Sequence, residues 1–566
     1  MRFILTMPIA FIVLAASCVV TQTQAAASTW GTITQGKWGT AWTASPIQKI
    51  LPKTPIPTTK TNGVQLYAAN NEYEPFQIVL TAKTRINNIK VVPHTLEGPA
   101  KAKIPAWSIN VKNVEYVNCT TPTNDGIEPG LYPDPLPDHF PYNAIEGRNA
   151  AAWVTVYVPR NTPPGDYKGT VDVVASGIGK IVVPVSLRVW NFTLPSVSRL
   201  RTAYGNSMHN AFRYQGATTK EQQRKLVELY NLNFFKHRVS PYNPYTTYEP
   251  RIEEQNGQIN IDFSDFDVAI QKFFPYVNSF MLPRFWMDDD VGFGKGADGQ
   301  RKKIDYMRQV AEHMVDKGVL KKGYAYIYDE PQPDVFDSLI EGAKTIRMAD
   351  QRIKILLTRR VEEKLIGSVD IWTPIVDHYE EAPSKARQAK GEELWWYLCC
   401  GPKAPYANGY FIDYSAAHMR MYHWQTWKYG LDGILYWNTM YWQDNPWQIP
   451  MSQPPDRAHN WGNGDGQIFY PATRAPSDKF IAKGPIDSIR WELVREGIED
   501  WDYFRILQDK IDAASAAKKN TPAYAAAVDV LRQVNSCVPS LTDFCTDVAK
   551  IESTRERVGR AIEGLN

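Results

Sequence analysis

Between about residues 28 and 196 the apolar positions fall in short alternating or β-branched runs. Examples are "EPFQIVLTA" (74–82), "AAWVTVYVP" (151–159), "GTVDVVAS" (169–176) and "KIVVPVSLRVW" (180–190). Turn-forming clusters such as "PRNTPPGDYKG" (159–169) separate them, and helical periodicity is scarce. This pattern predicts an all-β sandwich over 28–196, leading into a linker, "LPSVSRL" (194–200). From residue 200 the rhythm changes. Eight strand-like runs follow: 200–206, 234–241, 279–287, 324–331, 353–360, 369–376, 394–402 and 433–442. Helical stretches such as 219–232, 301–318 and 334–350 stand between several of them. Eight βα repeats predict a (β/α)8 TIM barrel, placed at 197–471, with a doubly wound open sheet as the competing arrangement. Helical spacing returns in "SDKFIAKGPIDSIRWELVREGIEDWDYFRILQDKI" and again over 522–566, so residues 472–566 read as a C-terminal helical extension packed on the barrel.

The first 27 residues have a different pattern: one Arg, an apolar stretch from Phe3 to about Val20, and an A-x-A-like exit at Ala25–Ala27. That is the plan of a signal peptide, and no later segment approaches the ~20 apolar residues of a membrane span. Export to the periplasm or the extracellular space is expected. Lipid anchoring at Cys18 is the second choice, because Ala15 stands where a lipoprotein signal usually has Leu. Five further cysteines remain, of which Cys537 and Cys545 flank a short loop and could pair in an oxidising compartment. The adjacent Cys399 and Cys400 read as small core residues.

Composition narrows the function. A formal charge of +3 on 566 residues gives no electrostatic case for a nucleic-acid partner. There is no C-x-x-C, no H-E-x-x-H and no Gly-Lys-Ser/Thr loop, so no metal, nucleotide or cofactor is expected. An aromatic content of 12% suits a large core, and it also suits a cleft in which rings stack on sugar faces.

The fourth run of the barrel, "YAYIYDEP" (324–331), ends in two adjacent acids, Asp329 and Glu330. The C-terminal ends of the strands are where a TIM barrel carries its active site. Neighbouring residues on a strand face opposite ways, so both acids reach one cleft only if the strand ends there, as Pro331 suggests. The competing reading makes Asp329 a helix cap and Glu330 a solvated rim residue. Glycoside hydrolysis usually takes two carboxylates. The seventh run has Glu392 and Glu393 only at its N-terminal end and finishes in Cys399–Cys400–Gly401–Pro402, so a nucleophile is missing there. A 2-acetamido sugar supplies its own nucleophile, the acetamido oxygen. Glu330 would then be acid and base, and Asp329 would orient the acetamido N–H.

These residues resemble glycoside hydrolase family 123 and the wider domain-of-unknown-function 4091 group. The resemblance rests on "YIYDEP" (326–331), "NEYEPFQIVL" (71–80), "TPPGDYKGTV" (162–171) and "ELVREGIEDWDYFRIL" (492–507). It implies a sandwich followed by a TIM barrel, and an exo-acting retaining β-N-acetylhexosaminidase with GalNAc favoured. It also implies Glu330 as acid/base and Asp329 as the acetamido-orienting acid, acting on a glycan or glycoconjugate.

Further cleft candidates come from strand ends. They are Trp437, Asn438 and Trp442 toward the end of the eighth run, Trp372 near the end of the sixth, Tyr397 in the seventh, Arg284, Trp286 and Asp288 after the third, and His237 and Arg238 after the second. For each aromatic residue a core position is the alternative. Asp377 and Glu380 would supply a general base if the enzyme inverted configuration. Arg490, Arg495 and Glu496 read as a salt-bridged seam against the barrel. Two other functions stay open: a glycosidase of the same fold acting on a sugar without an acetamido group, and a non-catalytic carbohydrate-binding surface protein.

Overall fold

The computed structural model describes residues 29–286, 293–294, 296–443, 445–451 and 460–566. The expected signal segment with Cys18, and also Asp288, lie outside the described residues.

The N-terminal β runs pair as the alternation predicts. One antiparallel sheet has the order Gly31–Gly36, Gly39–Ala44, Glu72–Ala82, Asn149–Val158, Ile109–Asn113. The other runs Tyr142–Ala144, Ile86–Pro93, Gly165–Ser176, Gly179–Thr193, Val64–Asn70, with only the last pair parallel. Phe76, Ile78, Val154 and Val156 of the first sheet meet Val171, Val173 and Leu187 of the second in one core, as period-two patterning requires. The opposite face of the first sheet, with Val79 and Trp153, joins the large core shared with the rest of the chain.

The barrel follows as seven parallel strands: Arg201–Tyr204, Phe280–Met281, Gly323–Tyr326, Ile355–Leu357, Ile371–Trp372, Glu393–Leu398 and Gly433–Tyr436. They form one sheet in which the first strand pairs with the last. The remaining gap, between Arg201–Tyr204 and Phe280–Met281, is closed by residues 240–242. Tyr204 N–H donates to Ser240 O (3.0 Å), Tyr242 N–H to Tyr204 O (2.8 Å) and Met281 N–H to Tyr242 O (2.9 Å). This is the second position of the eight, but the sequence pattern misplaces its start. The preceding helix, opened by a Thr219–Gln222 capping box, runs from Lys220 through Lys236 and takes up the first part of the apolar run. Ala203, Tyr324, Tyr326, Leu356, Ile371, Trp395, Tyr397 and Leu435 fill the barrel interior. The lower mouth is closed by Arg201, which binds Glu393 at 2.7 Å beside Lys354. Glu393 is therefore at the opposite end of the barrel from the strand C-termini, as expected.

The C-terminal extension does more than pack on the barrel. Its 24-residue helix, Ile489–Asp512, starts at Ser488, whose Oγ accepts from Trp491 N–H at 3.0 Å, and is buried along most of its length. Its Trp491 packs on Tyr204, Phe234 and His237 of the barrel. Its Arg490 makes a two-pronged contact (3.0 and 2.9 Å) with Asp134 of the N-terminal region. The helix is a wedge between the two domains. Arg495 pairs with Glu492, and Glu496 lies 3.6 Å from Arg420, so the expected seam is present and spans both domains. Three shorter helices, Ala516–Lys519, Pro522–Ser536 and Val548–Gly564, follow it among the described residues. Cys545 N–H bonds Cys537 O at 2.7 Å, and both thiols are free.

Candidate active site

The fourth strand ends at Tyr326, with Tyr324 and Tyr326 facing the barrel interior and Ala325 and Ile327 facing the outer core. The chain then turns, and Glu330 has φ 45°, a left-handed backbone conformation unusual for a residue with a side chain. Both acids are exposed at the upper mouth. Asp329 Oδ1 accepts hydrogen bonds from Tyr326 (2.6 Å) and from Thr358 Oγ1 (3.0 Å), which follows the fifth strand. Thr358 Oγ1 in turn accepts from Glu330 N–H at 2.8 Å. On the other side Tyr397, from the seventh strand, donates its phenol to Glu330 Oε1 at 2.5 Å. Burial, and then the neighbouring Glu330 charge, push the Tyr397 phenol well above its ordinary range, so it acts here as a donor. Tyr326 is raised in the same way by burial and by Asp329.

Two aromatic residues flank this pair. The Trp286 ring lies 5.1 Å from that of Tyr326 and is 37% exposed, so it offers a face beside the acids. Arg284, two residues earlier, is half-buried and also left-handed at φ 60°. Tyr242 packs edge-on to Tyr326 (6.1 Å, 83°), and its buried hydroxyl has no hydrogen-bond partner among the described residues.

At the end of the eighth strand, Trp437 is half-buried and packs against Tyr441 (5.0 Å) and Trp461 (5.7 Å). Its Nε1–H donates to both oxygens of Asp465, at 3.1 and 3.2 Å. Burial pushes the Asp465 carboxyl up to about 7, against the pull of the hydrogen bonds from Trp437 and Tyr436. Asn438 is buried, with Nδ2 donating to Ser207 Oγ (2.6 Å) and Oδ1 accepting from Met440 N–H (3.0 Å), so its amide is taken up by the fold.

Three expected sugar contacts are core residues instead. Trp372 is fully buried, with Nε1–H on Glu392 Oε2 at 2.6 Å, because a central strand is covered on both faces. Trp442 is fully buried against Tyr214 and donates to Phe469 O at 3.1 Å. His237 precedes the second barrel segment rather than following it. It stacks on Trp491 at 4.8 Å, far into the helix seam, and burial lowers its pKa. His237, Asp487 and Glu492 also form the one group with metal-ligand reach among the described residues, but Lys112 and Arg495 already neutralise the two carboxylates. Asp377 is exposed beyond the sixth strand, and Glu380 is tied to Arg360 at 2.8 Å.

Sequence reasoning missed Thr358, Tyr242 and Asp465. Thr358 had a positional signal, a hydroxyl at the end of the strand next to the acid pair. Asp465 lies in the Gly-rich loop "WGNGDGQ" (461–467), where nothing in the pattern points to a buried acid.

Comparison with known proteins agrees with this arrangement. Residues 300–507 match the glycoside hydrolase 123 catalytic domain, and residues 51–175 match the glycoside hydrolase 123 N-terminal domain. Together they cover more than half of the chain. Among solved structures, a family 123 glycoside hydrolase from Clostridium perfringens, studied for glycolipid glycan hydrolysis, aligns with a TM-score of 0.67 at 14% identity. That alignment covers 93% of this chain and 98% of the clostridial one. A Thermobacillus composti GH10 xylanase aligns at a TM-score of only 0.27 and 10% identity, over 53% of this chain and 96% of its own. No curated protein matches the sequence.

Proposed function

The chain belongs to glycoside hydrolase family 123, and from that premise we propose an exo-acting, retaining β-N-acetylhexosaminidase that uses the substrate's own acetamido group as nucleophile. One observation carries the reading. Two neighbouring acids share one strand end, each with its own hydroxyl partners, while the seventh strand ends in Cys399–Cys400 without a carboxylate. In the first step the acetamido oxygen attacks C1 as Glu330 protonates the departing glycosidic oxygen. Asp329 holds the acetamido N–H, which gains positive character as the oxazolinium ring closes. In the second step Glu330 takes a proton from water, which opens the ring at C1 with net retention. Tyr397 holds Glu330 from the far wall, and Trp286 and Trp437 offer faces for the sugar. GalNAc is the favoured sugar, and the clostridial relative makes glycolipid glycans the first natural substrates to try. The signal-like segment at residues 1–27 supports export as part of the same reading, and N-terminal sequencing of the mature protein tests it.

The deciding experiment is turnover of 4-nitrophenyl β-glycosides of GalNAc, GlcNAc, galactose and glucose by the chain from residue 28 onward, with product configuration followed by NMR. Release confined to acetamido sugars, with retention, is the expected result. Release from galactose or glucose would remove the acetamido nucleophile and bring Asp377 forward as the second acid. Release of single sugars from an oligosaccharide end tests exo action.

A further inference from the structure

Asp329 and Glu330 share a single hydroxyl. Thr358 Oγ1 donates to Asp329 Oδ1 (3.0 Å) and accepts from the backbone N–H of Glu330 (2.8 Å). Thr358 is 3% exposed, and it stands directly after the fifth strand, Ile355–Leu357, so its position is set by the barrel and not by the acid-bearing turn. The turn needs such an anchor. A left-handed conformation at a residue with a side chain is strained and persists only where its surroundings hold it. For Glu330 the bond to Thr358 is a fixed partner on the backbone, at the residue whose φ is 45°.

The polarity of the contacts adds a second consequence. With Tyr326 at 2.6 Å and Thr358 at 3.0 Å, Asp329 Oδ1 accepts from two protein hydroxyls, which leaves Oδ2 as the oxygen available to substrate. The Thr358 proton is directed to Asp329 because its contact with Glu330 is with a donor. One hydroxyl thus sets which oxygen Asp329 presents and where the Glu330 side chain begins.

We propose that Thr358 is the positioning residue of this site, fixing both acids through one hydroxyl held on the neighbouring strand. The proposal rests on the reading of Asp329 and Glu330 as the reacting pair. It differs from a filling role because it depends on the oxygen and not on the volume of the side chain.

Thr358→Val keeps the shape and removes both bonds together with the longer one that Thr358 Oγ1 accepts from the Tyr326 hydroxyl (3.3 Å), whereas Thr358→Ser keeps all three. These variants are assayed beside Glu330→Gln and Asp329→Asn with whichever 4-nitrophenyl glycoside the wild-type protein turns over. Misplacing a reacting group by about 1 Å costs on the order of 100-fold, so Thr358→Val is expected to lose about 30- to 100-fold in kcat with KM within about threefold. Its Tm is expected to stay within about 4 °C of wild type, and Thr358→Ser is expected to keep kcat within about threefold. A Thr358→Val enzyme with wild-type kcat, while the two acid variants are inactive, overturns the proposal. So does a Thr358→Ser enzyme as impaired as Thr358→Val, since that assigns the effect to the methyl group. If Glu330→Gln and Asp329→Asn keep full activity, the assignment of the acids falls first and the role of Thr358 falls with it.

Discussion

Carboxylates are concentrated in two regions of this molecule, and the two use them in opposite ways. At the barrel mouth Asp329 and Glu330 are exposed, and their partners are hydroxyls: Tyr326, Thr358 and Tyr397. Around the helix Ile489–Asp512, the acids Glu72, Glu496, Glu499, Asp500 and Asp502 are buried, and all but Asp502, which is held by Ser198 Oγ and Arg199 N–H, meet guanidinium groups. Arg555 binds Glu72 and, at 2.8 Å, Asp500. Arg420 binds Asp500 at 2.7 Å, and Arg238 binds Glu499 at 2.8 Å. The carboxylates there outnumber the cations, and Glu74, Glu496, Glu499 and Asp502 each keep a buried oxygen without a hydrogen bond among the described residues. Burial is the leading cause that pushes these carboxyls up: Glu74 to about 8, Glu499 to about 7, Asp502 to about 6, and Glu496 well above its ordinary range. The mouth keeps its acids in contact with water, whereas burial in the seam favours the protonated form of its carboxyls. Residue type alone does not separate these roles; solvent access and partner charge do.

The contrast is most directly broken by removing an acid at the mouth. Glu330→Gln is expected to lose about 10²- to 10⁴-fold in kcat, the usual range for a lost acid/base, with an unchanged melting temperature by calorimetry. The seam should respond in the reverse sense. Arg555→Met leaves Glu72 and Asp500 short of a buried partner, and breaking such a pair typically costs about 3–5 kcal/mol. Urea unfolding should register that loss, while kcat per folded molecule stays near wild type.

A pH series sharpens the comparison further. A carboxyl whose folded pKa is raised contributes stability that is fully present below its unfolded pKa and is lost progressively as pH rises through the folded value. For Glu74, which faces Arg555, Glu72, Arg420 and Glu499, the window runs from 4.5 to about 8. Stability should therefore decline across that window, and Glu74→Gln should flatten the decline without altering activity. The smallest effect is expected at Trp286. Its replacement by Ala removes a stacking face worth about 1 kcal/mol, seen as a several-fold rise in KM with kcat and melting temperature held.

The sequence made the sandwich, the barrel and the acid pair legible for physical reasons. Alternating and βα rhythms survive in single sequences, and a strand that stops at Asp-Glu-Pro marks its own end. Trp372 and Trp442 were not separable from sugar platforms, because an aromatic residue on a strand reads alike whether it faces a cleft or a helix layer. His237 was displaced because Phe234–Lys236 suit either a strand or the end of an amphipathic helix, and the capped helix overran the strand. The seam was visible only as charged residues at helical spacing. Its partners Glu72 and Arg555 lie 483 positions apart, and no local pattern connects them.

The wedge helix also has a consequence for the order in which the protein can be completed. Its residues are synthesised after the sandwich and the barrel, yet Glu72 of the first domain and Arg238 and Arg420 of the second find their buried ion-pair partners on it or on the helix Val548–Gly564. While the chain is still on the ribosome, both earlier domains carry charged, half-finished faces that a C-terminal segment must cover. Folding from the N-terminus onward, the usual route for multidomain chains, is then a provisional assembly here, locked by helices made after both domains.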